Sequence, residues 1–286
     1  MYVDDPYCGL RHIIHSGSTH GLRHRFGLSM KLVIPDSTLA IDNPAMGASE
    51  ASAALCDMQC FSVTTPNAVV LDVYLCTFDI EQFSAEAFAI SGIAYPAGVA
   101  RSVRKRQAEF YFGRLTARQA LGALGIPTFE VAIGASRQPI WPAGVIGSIS
   151  HTHAYAAAVA LRRGDGSGVG IDLEHMAGPD AAAALSTTAI DAEELRYLET
   201  LTHLLPINTL LTATFSAKES LFKAAFNEVG RYFDFSAAHV FLVDPEEGII
   251  RLRLTETLCS TFVCGQVCDI GFCFLGTDVV LTYFAW

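Results

Sequence analysis

Ile171-Asp172-Leu173-Glu174, the end of Val169-Gly170-Ile171-Asp172-Leu173-Glu174, alternates apolar and acidic side chains. In an extended strand, residues two apart point to the same face. Ile171 and Leu173 are therefore expected toward a core, with Asp172 and Glu174 side by side on the other face. Two like charges held together favour a cation between them, and a hard divalent ion with oxygen ligands, such as Mg²⁺, suits carboxylates. A solvent-exposed strand face ending in a turn accounts for the same letters, so this stretch alone leaves both readings open.

Upstream of it, residues 147–150 and 154–161 read as strand-like segments around a turn, and 163–168 (Arg-Gly-Asp-Gly-Ser-Gly) reads as a second turn. Residues 69–78 read as the first strand. Residues 102–124 read as a helix with Phe110, Leu115, Ala117, Ala120, Leu121 and Leu124 on its apolar face, stopped by Gly125 and Pro127. Downstream, 189–205 and 212–226 read as helices, and 240–243, 249–254, 262–270 and 279–284 as strands. Helices and strands mix without a βαβ rhythm, which indicates the α+β class. Residues 1–57 hold four of the nine histidines (His12, His15, His20, His24) and a small, polar stretch with little periodicity; a poorly ordered extension is expected there.

Composition narrows the function classes. Hydrophobic residues are 51% and charged residues 17% of 286, enough to build a packed core. The net charge of −10 argues against a whole-surface nucleic-acid binder, which is usually basic. None of the eight cysteines forms a C-x-x-C pair and the histidines do not cluster with them, so buried thiols in a reducing, cytoplasmic setting are expected rather than a metal–thiolate site. No apolar run is long enough to span a membrane, and the first residues lack the pattern of a signal peptide.

Three further stretches carry chemistry. In Phe215-Ser216-Ala217-Lys218-Glu219-Ser220-Leu221-Phe222-Lys223, the helical period sets Glu219 and Lys223 on one stripe with Phe215, Phe222 and Phe226. A carboxylate and an ammonium at i,i+4 among aromatic residues suggest a site. The Ser216-x-x-Glu219 spacing equally fits a helix-capping box. Between Arg101 and Arg137 lie seven of the nineteen Lys and Arg, including Arg104, Lys105 and Arg106, opposed only by Glu109 and Glu130. That local positive region suits phosphate oxygens, or is a solvated helix face. Gly147-Ser148-Ile149-Ser150-His151 offers hydroxyls, an imidazole and backbone N–H groups to a phosphate, or is a capped turn. A Ser150–His151 nucleophilic pair is disfavoured, because neighbours on a strand face opposite ways.

In their order, these stretches resemble the phosphopantetheinyl transferases of the Sfp superfamily, and the enterobactin-synthetase component D subgroup in particular. The resemblance runs through Arg104-Lys105-Arg106-Gln107-Ala108-Glu109-Phe110 with Gly113-Arg114, and Arg137-Gln138-Pro139-Ile140-Trp141-Pro142 leading into Gly147–His151. It continues through the acidic strand and the Phe215–Lys223 stretch, and covers roughly residues 69–284. It implies an α+β fold of two similar halves packed as a pseudo-dimer: residues 58–162, basic and binding coenzyme A, and residues 163–286, carrying the Mg²⁺-binding and catalytic acids. It implies transfer of 4′-phosphopantetheine from coenzyme A to a serine of an apo acyl or peptidyl carrier protein, giving 3′,5′-ADP, with the carriers of nonribosomal peptide and siderophore synthesis favoured. Asp172, Glu174 and Glu219 would coordinate Mg²⁺, and Glu219 would also accept the serine proton. Lys223 would assist the leaving pyrophosphate. Ser150 and His151 would contact phosphates of coenzyme A, His151 the 3′-phosphate. Arg137 and Pro139 would lie by the nucleotide, and one or more of Arg104, Lys105 and Arg106 would bind phosphate. A cytoplasmic monomer with no nucleic-acid partner is implied. The rival readings are another Mg²⁺-dependent phosphotransferase or pyrophosphatase, and a binding module for coenzyme A or carrier proteins that has lost its chemistry.

Overall fold

The computed structural model describes residues 32–33 and 56–286. Most of the expected N-terminal extension, with its four histidines, lies outside the described residues. Two parts of it are in strands: β1 (Leu32–Val33), and the first two residues of β2 (Cys56–Thr64). The described chain divides into two compact units, one running to Leu173 and including Ala285–Trp286, the other spanning Glu174–Phe284 with β1. The division falls at Leu173–Glu174, inside the acidic strand, rather than near Arg163.

In the first unit β2 pairs antiparallel with β3 (Val70–Phe78), in register from Cys56 opposite Phe78 to Thr64 opposite Val70. The sequence reading missed β2. The sheet continues through β7 (Tyr155–Arg162) to β6 (Val145–His151), in the order β2-β3-β7-β6. After two short helices, α1 (Glu86–Ser91) and α2 (Ala97–Ala100), the helix α3 (Arg104–Ala123) lies across β3, β7 and β6. Its inward face buries Phe110, Tyr111, Phe112, Leu115, Ala117, Ala120 and Leu121. It stops where Gly125 turns to a φ of +77°, a conformation glycine adopts without strain. Gly113 lets helix and sheet approach closely, since a Cβ there would meet Ile149 Cγ2 of β6 at 3.1 Å. Between α3 and β6 a small hairpin pairs β4 (Ala132–Ile133) with β5 (Pro139–Ile140).

β8 (Val169–His175) carries the chain from the first unit into the second. There α4 (Pro179–Thr188), which the sequence reading missed, is followed after a break by α5 (Ala192–Thr200), shorter at both ends than the helix expected over 189–205. The break has a local cause. Asp191 accepts hydrogen bonds from the N–H groups of Glu193 and Glu194 at 2.8 Å, and the Glu194 carboxylate in turn accepts the Asp191 N–H at 3.0 Å, a complete capping box that starts a new helix. The helix α6 (Ile207–Val229) follows and ends at Gly230, φ +70°. Strands β9 (Ala238–Asp244), β10 (Ile249–Leu254), β11 (Val267–Leu275) and β12 (Val279–Ala285) run in the order β12-β11-β10-β9, and β1 pairs parallel with the end of β11. The expected strand over 262–270 starts at Val267 instead, because Gly265 turns the chain at φ +83° while Phe262 is buried from within that turn. Along β9, the Val240 N–H donates to Glu194 Oε1 at 2.7 Å and the Val243 N–H to the Tyr197 hydroxyl at 3.0 Å. Side chains of α5 thus satisfy strand N–H groups that would otherwise lack partners.

Candidate active site

Both faces of β8 are buried. Ile171, Leu173, Asp172 and Glu174 all show 0% exposure, so the solvent-exposed reading of the acidic face does not hold. A buried carboxylate requires compensation. Asp172 receives part of it from β6: the Ser150 hydroxyl donates to Asp172 Oδ1 at 2.9 Å. The same oxygen of Ser150 accepts the Leu173 N–H at 3.0 Å, and the Ser148 hydroxyl oxygen accepts the Ile171 N–H at 3.0 Å. Two serines, two residues apart on one face of β6, therefore meet two N–H groups two residues apart on β8.

Glu219 lies in the middle of α6, and so does Ser216; the helix begins at Ile207, and the capping-box reading of this pair is overturned. The helix is buried on nearly all sides from Leu210 to Leu221, so its polar residues need internal partners. Thr282 of β12 supplies them for two serines: its hydroxyl lies 2.9 Å from the Ser216 hydroxyl and 2.7 Å from that of Ser220. Lys218, which the sequence reading did not single out, is 3% exposed. Its ammonium lies 2.8 Å from Glu194 and donates to the carbonyls of Ala189 at 2.9 Å and Phe235 at 3.2 Å. Burial lowers its pKa against the opposing pull of Glu194. Glu219, 4% exposed, is thus flanked by two residues that anchor the helix, Lys218 to α5 and Ser220 to β12. Glu219 and Phe222 help line a small cavity with Phe233 and Asp234. Lys223, half-buried, follows one turn later, and Phe222 packs against Phe226, Tyr232 and Phe233.

Among the described residues, Asp191, Glu194 and His239 bring ligand-type atoms within 4.8 Å of one another. Asp191 Oδ2 lies 2.7 Å from His239 Nε2, and Glu194 is engaged by Lys218 and by the N–H groups of Asp191 and Val240. The Lys218 ammonium already supplies the cation, so this cluster reads as a structural clamp.

The basic region separates into two groups. Arg104, Arg114 and Arg118 are taken up locally. Arg104 donates to the carbonyls of Phe83 and Glu81 and pairs with the Glu81 carboxylate. Arg114 donates to the Val131 carbonyl at 2.6 Å and lies over the Phe110 ring, and burial pushes its pKa down to about 10. Arg118 holds the Ser91 carbonyl. The second group gathers at the start of α3. Arg106 Nη1 lies 3.0 Å from His151 Nε2, and the buried Glu109 lies 3.7 Å from Arg106, 3.8 Å from His151 and 4.0 Å from Lys105. Two fixed cations and an imidazole thus surround one carboxylate, and the balance stays positive. Glu109, read in the sequence only as an opposing charge, organises this cluster. Arg137 is exposed at the tip of the β4–β5 hairpin with φ +65°, and Pro139 is half-buried at the start of β5.

Residues 95–161 match the model of the 4′-phosphopantetheinyl transferase N-terminal domain, and residues 168–283 that of the 4′-phosphopantetheinyl transferase superfamily. The chain is 41% identical over 126 residues to enterobactin synthase component D of Salmonella typhimurium, covering 44% of this chain and 51% of that one. It is 38% identical over 159 residues to the 4′-phosphopantetheinyl transferase Svp of Streptomyces mobaraensis (55% and 63%). It is 37% identical over 143 residues to the 4′-phosphopantetheinyl transferase PptT of Mycobacterium tuberculosis (50% and 61%). The matches therefore span between about half and just under two thirds of these relatives. With two adjoining models of one family matching most of the described residues, this chain belongs to the 4′-phosphopantetheinyl transferase superfamily.

Proposed function

We propose that this chain moves the 4′-phosphopantetheine arm of coenzyme A onto a serine of an apo carrier protein and releases 3′,5′-ADP, in a Mg²⁺-dependent reaction. The observation that carries this reading is the burial of three carboxylates, Asp172, Glu174 and Glu219, at 0%, 0% and 4% exposure in a chain of this family. Buried anions need a counter-charge, and an all-oxygen carboxylate set is the donor chemistry that a hard divalent ion takes. That donor chemistry fits Mg²⁺, and Asp172, Glu174 and Glu219 would hold it. When bound, it would neutralise pyrophosphate charge.

The chain's own residues divide the remaining work. Phosphoryl transfer depends on positioning and charge stabilisation more than on covalent help. Arg106 and His151, 3.0 Å apart, form the phosphate-binding pair, with Lys105 beside them. Arg104 is committed to the 81–83 turn and is the weakest candidate of the three. Arg137 and Pro139 present a loop to the nucleotide. Glu219 accepts the proton of the carrier serine, directly or through a water, and Lys223 supplies positive charge to the leaving group. The name of the Salmonella relative favours carrier domains of siderophore and other nonribosomal peptide synthesis. We further propose that the enzyme is cytoplasmic and monomeric; no helix among the described residues is long and apolar enough to cross a membrane.

Intact mass of an apo peptidyl carrier protein, incubated with this protein, coenzyme A and Mg²⁺, tests the reading. A gain of one phosphopantetheine is expected, with the rate reduced on the order of 10²-fold or more in Glu219→Ala. Cleavage of coenzyme A without carrier modification would indicate a pyrophosphatase. Binding of coenzyme A with neither reaction, across several carriers, would indicate a binding module.

A further inference from the structure

The pleat of β6 sorts its motif into two faces. Gly147, Ile149 and His151 share one face, on which Ile149 approaches Gly113 of α3 and His151 meets Arg106. Ser148 and Ser150 share the other, and both bond to β8. Ser150 has a single hydroxyl proton, and it points to Asp172 Oδ1 at 2.9 Å; the oxygen accepts the Leu173 N–H at 3.0 Å. At 1% exposure, with its proton committed, Ser150 is poorly placed to donate to a phosphate as well.

We infer that Ser150 is a positioning residue that orients the Asp172 carboxylate toward the cation, and that His151 alone carries the phosphate contact of this pair. The inference rests on the transferase reading given above. Holding Oδ1 from β6 restricts carboxylate rotation and sets the direction of Oδ2. Partners of this kind behind a metal ligand are typically worth about 10- to 100-fold in metal affinity or activity. Ser148 supplies an internal control. It makes the matching bond to the Ile171 N–H but touches no carboxylate in this way, so Ser148→Ala removes a comparable strand-to-strand bond without freeing Asp172.

The experiment titrates Mn²⁺ into the full chain by electron paramagnetic resonance, with coenzyme A present and carrier absent. It is run for wild type, Ser150→Ala, Ser148→Ala, Asp172→Asn and the Ser150→Ala/Asp172→Asn double variant. Steady-state KM for coenzyme A is measured at saturating Mg²⁺, and Tm reports folding. Ser150→Ala is expected to weaken Mn²⁺ by about 10- to 100-fold, to raise the Mg²⁺ needed for half activity in step, and to leave KM for coenzyme A unchanged. Ser148→Ala should lower Tm to a similar extent with metal affinity intact. Ser150→Ala should add nothing in the Asp172→Asn background, because it acts through that side chain. A raised KM for coenzyme A with unchanged Mn²⁺ affinity would assign Ser150 to the phosphate and overturn the inference. Equal weakening by both serine variants would overturn it as a general strand effect. Wild-type Mn²⁺ binding that is insensitive to Asp172→Asn would instead refute the metal site itself, and this inference with it.

Discussion

At the scale of single residues, the Lys218–Glu194 pair is the most consequential one outside the proposed chemistry. Both side chains are about 2% exposed, and each saturates the other together with backbone groups of three different segments. Removing one partner leaves an uncompensated buried charge, which typically costs about 3–5 kcal/mol. Lys218→Met and Glu194→Gln should therefore each lower stability by about that much in urea unfolding. Single-variant costs below about 1 kcal/mol, the usual range of an exposed pair, would contradict the clamp. A buried Lys next to the proposed metal-holding Glu is easily mistaken for chemistry in a sequence. Its partner, Glu194, lies 24 residues upstream, and no local rule connects the two.

At the scale of elements, the break between α4 and α5 shows how one side chain overrides a helical pattern. The Ala-rich 179–188 and the amphipathic 192–200 both favour helix, but the Asp191 carboxylate offers the backbone a competing bond and resets the phase. Burial would raise the Asp191 pKa, yet the N–H groups of Glu194 and Glu193 and the His239 ring outweigh it and hold it below its ordinary 3.8. A carboxyl depressed on folding contributes stability above its unfolded pKa and loses it as pH falls through the folded value. The stability gap between wild type and Asp191→Ala should thus be full, about 1 kcal/mol, at neutral pH and shrink below pH 3.8. Chemical denaturation at a series of pH values measures it, and a gap that widens on acidification would refute the assignment.

At the scale of the whole molecule, the proposed cation couples to folding. A ligand that binds only the folded state stabilises it by mass action, about 2.7 kcal/mol at one hundred times Kd. Adding Mg²⁺ with coenzyme A should raise Tm, a chelator should reverse the rise, and Asp172→Asn should abolish it. A Tm indifferent to Mg²⁺ in the wild type would count against the metal reading.

What the sequence by itself determined is the family and the order of its motifs along the chain. Periodicity located α3, α6 and most strands, and the alternation around Asp172 and Glu174 marked the acidic strand, because pleat and helical turn are written locally. Only the tertiary structure decided where the polar groups go. Burial of both faces of β8, the turn of Ser150 toward Asp172, the pairing of Arg106 with His151 around Glu109, and the meeting of Lys218 with Glu194 all join residues 20 or more positions apart. The physical reason is that a buried polar group is satisfied by whatever the fold brings within hydrogen-bonding distance, and that distance is set by packing between elements rather than by spacing within one.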